Sequence, residues 1–113
     1  MTKTVYTKSV YTLVVEPFDG FDWDAANVEH ILRHRVTPME VEEAVGLPQL
    51  TLLAPSVSGE KRWKLLGKTA RRHVVVVFTV RRRLFRTITA YPMNATQRKR
   101  YAAQIDKASG LSQ

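Results

Sequence analysis

At 113 residues with no cysteine, the chain is long enough for one hydrophobic core, and a disulfide framework, thiolate metal ligands and a cysteine nucleophile are excluded. Its apolar and charged fractions, 44% and 25%, are those of an ordinary soluble globular protein, and its formal net charge is +8. That charge is segregated: residues 1–60 hold four of the 18 Lys/Arg and nine of the 10 Asp/Glu, whereas residues 61–101 hold thirteen cations and no acid.

Such a field recruits a polyanion, although a solvated basic face or a surface for an acidic protein would carry the same signature. The first residues, M-T-K-T-V-Y-T-K-S-V-Y, contain no continuous apolar run, so neither a signal peptide nor a membrane span is expected. A soluble, cytoplasmic protein is expected, with a single domain over residues 1–113, a core at 9–108 and a flexible tail at 109–113.

In chain order, Thr4–Glu16 reads as one strand starting near Ser9, closed by Pro17, Asp19 and Gly20. Asp24 is a suitable N-cap, and Trp23 with Val28 has the spacing of a hydrophobic staple. Val28, Ile31, Leu32 and Arg35 then share one side at helical spacing. A second helix follows at Thr37-Pro38-Met39-Glu40: an N-cap, a proline at the first helical position and a glutamate three residues after the cap. Val36 and Val41 form a second staple, Val41, Ala44 and Val45 face inward, and Gly46-Leu47-Pro48 ends the helix. The two helices make an αα-hairpin.

From Gln49 the period changes. Gln49–Ala54 and Arg62–Leu66 read as strands, separated by a loop at Pro55–Gly59 and followed by a loop through Arg71-Arg72. Val74–Val80 and Leu84–Ala90 are β-branched runs around Arg81, Arg82 and Arg83, which predicts a hairpin. The near-continuous valine of the first run implies a strand covered on both faces, at the centre of a sheet. Asn94 caps a final helix with Gln97 placed to bond back, and Tyr101, Ala102, Ile105 and Ala108 form its apolar stripe. The order β-α-α-β-β-β-β-α is an α+β domain with an antiparallel sheet.

Among chemistry-bearing residues, His30 and His34 share a helical face as metal ligands would, but no thiolate or His-Glu-x-x-His pattern completes a site. No metal or cofactor is expected. Metal-free RNA cleavage needs a base for the ribose 2′-OH and cations for the charge on the phosphorane. Arg62, Arg86 and the Arg81–Arg83 turn supply cations, each of which equally serves solubility. The base would be a histidine, Glu60 or a tyrosine, with His34 the best candidate because imidazole as a class titrates near neutrality. Trp63 and Tyr91 are rings suited to stacking on bases or to packing.

Phe21-Asp22-Trp23-Asp24, Asn27, Arg33-His34-Arg35-Val36 and Glu42-Glu43-Ala44 resemble, in this order, the F-x-W-D, Asn, K-H-G-V and E-E-A of the BrnT-type ribonuclease toxins. The resemblance continues through Arg62-Trp63, Gly67, the valine-rich strand before Thr79, Arg86-Thr87-Ile88-Thr89-Ala90, Pro92-Met93 and Tyr101. It implies a RelE-like fold and metal-independent RNA cleavage that arrests growth. It also implies a BrnA-like antitoxin with a ribbon-helix-helix part, and promoter DNA binding only through that complex.

By position, the resemblance makes His34, Arg62, Arg86 and Tyr91 the catalytic candidates and Arg33 an RNA-binding one; Trp63 as a ring and Arg81, Arg82, Arg83 and Arg98 as cations are RNA-binding candidates on residue type. Three positions depart from the family pattern: Tyr91 stands for its strand-end arginine, Gln97 for its glutamate, and Arg35 for its glycine. Tyrosine lacks the permanent charge and forked donors of arginine. A catalytically silent protein that keeps only the antitoxin- or nucleic-acid-binding role is therefore the alternative expectation.

Overall fold

The computed structural model describes residues 11–12 and 17–108. The expected strand in Thr4–Glu16 falls within them only as β1, Tyr11–Thr12; the tail at 109–113 lies outside the described residues. After β1 come β2 (Gly20–Phe21), α1 (Ala25–Leu32), α2 (Pro38–Gly46), β3 (Gln49–Val57), β4 (Glu60–Lys68), β5 (His73–Arg81), β6 (Leu84–Pro92) and α3 (Ala95–Ala108). The fold is α+β. The strand order is β1-β3-β4-β5-β6-β2; the four long strands are antiparallel, and the two-residue strands at the edges pair parallel.

Local chemistry sets the helices. Asp24 accepts from the Asn27 N–H while Asn27 Oδ1 accepts from the Asp24 N–H, and Thr37 and Glu40 make the same reciprocal pair on α2. On α1 the expected apolar side is only partly correct. Ile31 is fully buried, but Leu32 is half exposed, and the other buried position is Asn27. The amide of Asn27 also donates to the Asp22 and Thr87 carbonyls, so its burial is compensated by hydrogen bonds. Arg35 lies beyond the helix at φ 62°, a left-handed conformation that favours glycine, which explains the glycine of the related motif.

The strands run past their expected ends, and the β3–β4 and β5–β6 hairpins close on two-residue turns. Ser58-Gly59 and Arg82-Arg83 all have positive φ, the geometry that matches the twist of the flanking strands. Strand β5 is interior, and Val74, Val75 and Val76 are all fully buried, as the valine run requires. Alternate residues feed two cores. Val74, Val76 and Phe78 join Trp63, Phe85 and the inward faces of α1 and α2, while Val75 joins Leu50, Leu66, Met93 and Tyr101 beneath α3.

The acidic and basic halves of the chain meet in this packing. Glu40 takes a bidentate pair from Arg72 at 2.9 and 2.7 Å, Trp23 Nε1 donates to Glu42 at 2.8 Å, and Glu43 accepts from the Ala70 N–H at 2.7 Å. Arg72 also donates to the Arg35 carbonyl. The acids of α2 therefore tie the αα-hairpin to residue 23 and to the loop between β4 and β5.

Candidate functional site

Residues paired directly across a sheet share a face. On the face opposite the αα-hairpin, Arg62 on β4, Thr79 on β5 and Arg86 on β6 therefore form one row; Trp63 pairs with Phe78 and Thr79 with Arg86. The next row towards α3 is Leu52, Lys64, Val77 and Thr89, and the one after is Leu50, Leu66, Val75 and Tyr91. Helix α3 packs over the last of these, and Leu52 of the middle row joins the same cluster.

A bulge in β6 sets which residues join this face. Phe78 pairs with Thr87 but Val77 pairs with Thr89, so Ile88 is an extra residue. In regular alternation Arg86 would share its face with Ala90. With the bulge it shares the face with Thr89 and Tyr91 instead.

Helix α1 lies along β6 and adds two imidazoles at the edge of this face. His30 Nε2 is 3.1 Å from Thr89 Oγ1, donating or accepting according to its tautomer. The ring of His34 meets that of His30 edge-on at 5.7 Å and that of Tyr91 at 6.3 Å. His34, exposed just past the last turn of α1, is thus in ring contact with Tyr91, one of the three departures from the related pattern. Between α1 and β6 a cleft of about 220 Å³ is lined by Ala26, His30, Arg81, Arg86 and Ile88. His30, named in the sequence as half of a metal-ligand pair, therefore stands in the cleft beside Arg86. Among the described residues no group of three or more His, Asp or Glu could hold a metal ion.

The cations here are not bare. Arg86 lies 3.0 Å from Asp24 and 3.4 Å from Asp22, with its side chain 15% exposed. Asp24 is held below the usual carboxylate range by the Asn27 backbone N–H and then by Arg86. Arg81 binds Glu60 through Nε at 2.6 Å and Nη2 at 3.0 Å, and Arg62 lies 3.8 Å from the same carboxylate. The Arg81 bond, supported by the charges of Arg62 and Arg86, lowers the pKa of Glu60. Arg62 Nε and Thr87 Oγ1 are buried without a protein partner among the described residues.

Other expected RNA contacts are placed differently. Trp63 is 2% exposed and stacked on Phe78 at 5.6 Å between ring centres, so its ring is a core element and not a platform for a base. Its strand parity turns it toward the αα-hairpin, away from Arg62. Arg83 forks onto Asp19 at 2.9 and 3.1 Å, and Arg81 onto Glu60, so among the described residues Arg82 is the one turn arginine with no ion pair. Arg98 Nη1 donates to the Met93 carbonyl and braces the start of α3. Arg33, at the C-cap of α1, is exposed. Gln97 completes a capping box with Asn94, its Oε1 accepting from the Asn94 N–H at 2.9 Å.

A row of ion-paired arginines on one sheet face, with a pair of imidazoles at its edge, an αα-hairpin on the other face and a C-terminal helix, defines a small α+β protein. The chain belongs to the BrnT family, ribonuclease toxins of type II toxin–antitoxin systems, whose family model matches residues 23–97. No curated protein matches the chain significantly. The matched stretch runs from Trp23 to Gln97 and contains Asp24, Asn27, both helix caps, the ion-paired Glu40, Arg62, the bulge and Arg86. Membership makes the protein a toxin in the general sense and implies an antitoxin partner. No helix among the described residues is long and apolar enough to cross a membrane.

Proposed function

We propose that this protein is a metal-independent endoribonuclease toxin, cutting RNA by attack of a ribose 2′-OH on the adjacent phosphate and so inhibiting translation and growth. The observation that supports this most is the row Arg62–Thr79–Arg86 on one sheet face, its two arginine side chains partly exposed, with His30 and His34 at its edge. In this reading Arg62 and Arg86 hold the phosphate and stabilise the charge that grows on its oxygens in the transition state. Glu60, its proton affinity lowered by Arg81, is a poor base, so proton transfer falls to an imidazole. His34 is that group, with Tyr91 beside it to contact phosphate or base. A BrnA-like ribbon-helix-helix antitoxin neutralises the toxin in the cytoplasm, and promoter DNA is bound only through that complex.

The test is purified protein with RNA in EDTA, alongside induced expression without a partner. Cleavage and growth arrest are expected, with His34→Ala and Arg62→Ala each losing at least a hundredfold in rate while remaining folded. Intact RNA and normal growth from folded parent protein would overturn the reading. The second reading, a silent binding protein, would then hold; the two carboxylates occupying Arg86 and the tyrosine at position 91 favour it.

A further inference from the structure

A second cavity, of about 480 Å³, opens on the same sheet face between β3, β4 and the first turns of α3. That volume lies within the roughly 300–1,000 Å³ of small-molecule sites. Leu52, Ala54 and Leu66 give it an apolar floor, and Lys64, Gln97 and Arg100 surround it. Neither Lys64 nor Arg100 has an ion-pair partner among the described residues, in contrast to Arg62, Arg81 and Arg86. The oxygen of the Gln97 amide is committed to the helix cap, which leaves its NH₂ end for a ligand.

We propose that this cavity is a nucleotide subsite of a single RNA strand, its apolar floor taking the base and Lys64 and Arg100 the phosphate next to the one held at Arg62 and Arg86. This deepens the ribonuclease reading and rests on it. Two features favour this occupant. Lys64 follows Arg62 on the same face of β4, two residues or about 6.6 Å along the strand. That is the order of separation between successive phosphates of a single strand. In the other direction along β4 lies Glu60, whose carboxylate repels phosphate, so a strand engaged at Arg62 is directed toward Lys64. Gln97 is neutral at the cavity wall, where a carboxylate would oppose the ligand.

The experiment measures equilibrium binding of a short, fully 2′-O-methylated RNA, which cannot be cut, as a function of salt. Lys64→Gln combined with Arg100→Gln is expected to weaken binding about tenfold and to lower the slope of log Kd against log salt by about 0.7, one phosphate of a single strand. Gln97→Glu is expected to weaken binding about threefold without changing thermal stability, because glutamate serves equally in the capping box. Parent-like affinity and slope in the double variant would overturn the proposal. So would competition by a polyglutamate peptide whose binding the same variants abolish while RNA binding persists, since the cavity would then be a site for an acidic peptide. Cleavage of unmodified RNA by the parent is read separately. No cleavage with binding lost in the variants removes the ribonuclease reading and keeps the subsite; cleavage with unaffected binding does the reverse.

Discussion

Asp24 performs two tasks that pull in different directions. As N-cap it accepts from the Asn27 N–H, and as a carboxylate 3.0 Å from Arg86 it neutralises part of the cation that the ribonuclease proposal assigns to phosphate. Asparagine caps a helix as well as aspartate does, so Asp24→Asn separates the two tasks. The substitution is expected to leave the thermal midpoint nearly unchanged while tightening RNA binding several-fold, because Arg86 then answers only to Asp22. Filter binding at fixed salt, beside a thermal melt, checks both arms. Unchanged or weaker affinity in a folded variant would mean that Arg86 works as a strut between α1 and β6 and does not engage phosphate.

Among the elements, the contact between α2 and β4 leaves no spare room. A Cβ built on Gly67 would lie 3.3 Å from Ala44 Cβ and 3.0 Å from Leu65 Cδ2, and Leu65 is itself buried. Gly67→Ala is therefore expected to cost about 1–3 kcal/mol, read as a lower denaturant midpoint with an unchanged slope. A neutral result would mean that α2 can lift from the sheet.

Elements held by local chemistry were legible in the sequence. The caps at Asp24, Thr37 and Asn94 act within three residues, and the valine run announces an interior strand whatever its partners. Features decided by distant partners were not legible. The two-residue parallel edges carry no pattern of their own. Nothing in R-T-I-T-A-Y marks Ile88 as the bulge that turns Tyr91 to the face of Arg86. Trp63 became core, and Arg81 and Arg83 became ion-pair members, through residues 15 to 64 positions away. The candidate site was thus legible as residue types, while its face, its charge balance and the place of His30 depended on the fold.

At the scale of the molecule, the segregated charge serves folding as well as any ligand. Glu40, Glu60 and Asp19, all from the acidic half, bind Arg72, Arg81 and Arg83 from the basic half. With a surplus of +8, each carboxylate that protonates removes an attraction and leaves the repulsion among cations larger. Arg72 holds Glu40 below its ordinary 4.5, and Arg81 does the same for Glu60. A lowered carboxylate pKa means that the unfolded chain binds protons first as pH falls. The stability these pairs contribute is complete above about 4.5 and is lost as pH drops through the lower folded values.

His73 acts earlier on the same descent. Burial beside the Tyr101 ring, then the charges of Lys68 and Arg98, push its pKa below 6.5, so its protonation in the unfolded chain costs stability from about pH 6.5 downward. Unfolding by urea is expected to show a plateau above pH 7, a shallow decline beginning near 6.5 and a steeper one below 4.5. His73→Gln should remove the first decline and leave the second. Glu40→Gln should lower the plateau by about 1–3 kcal/mol, the worth of hydrogen bonds to a charged group, and flatten the acid limb. A single decline confined to pH below 4.5 in the parent would show that the end of the sheet beneath α3 opens to water without cost, and that the ion pairs between the halves alone govern acid stability.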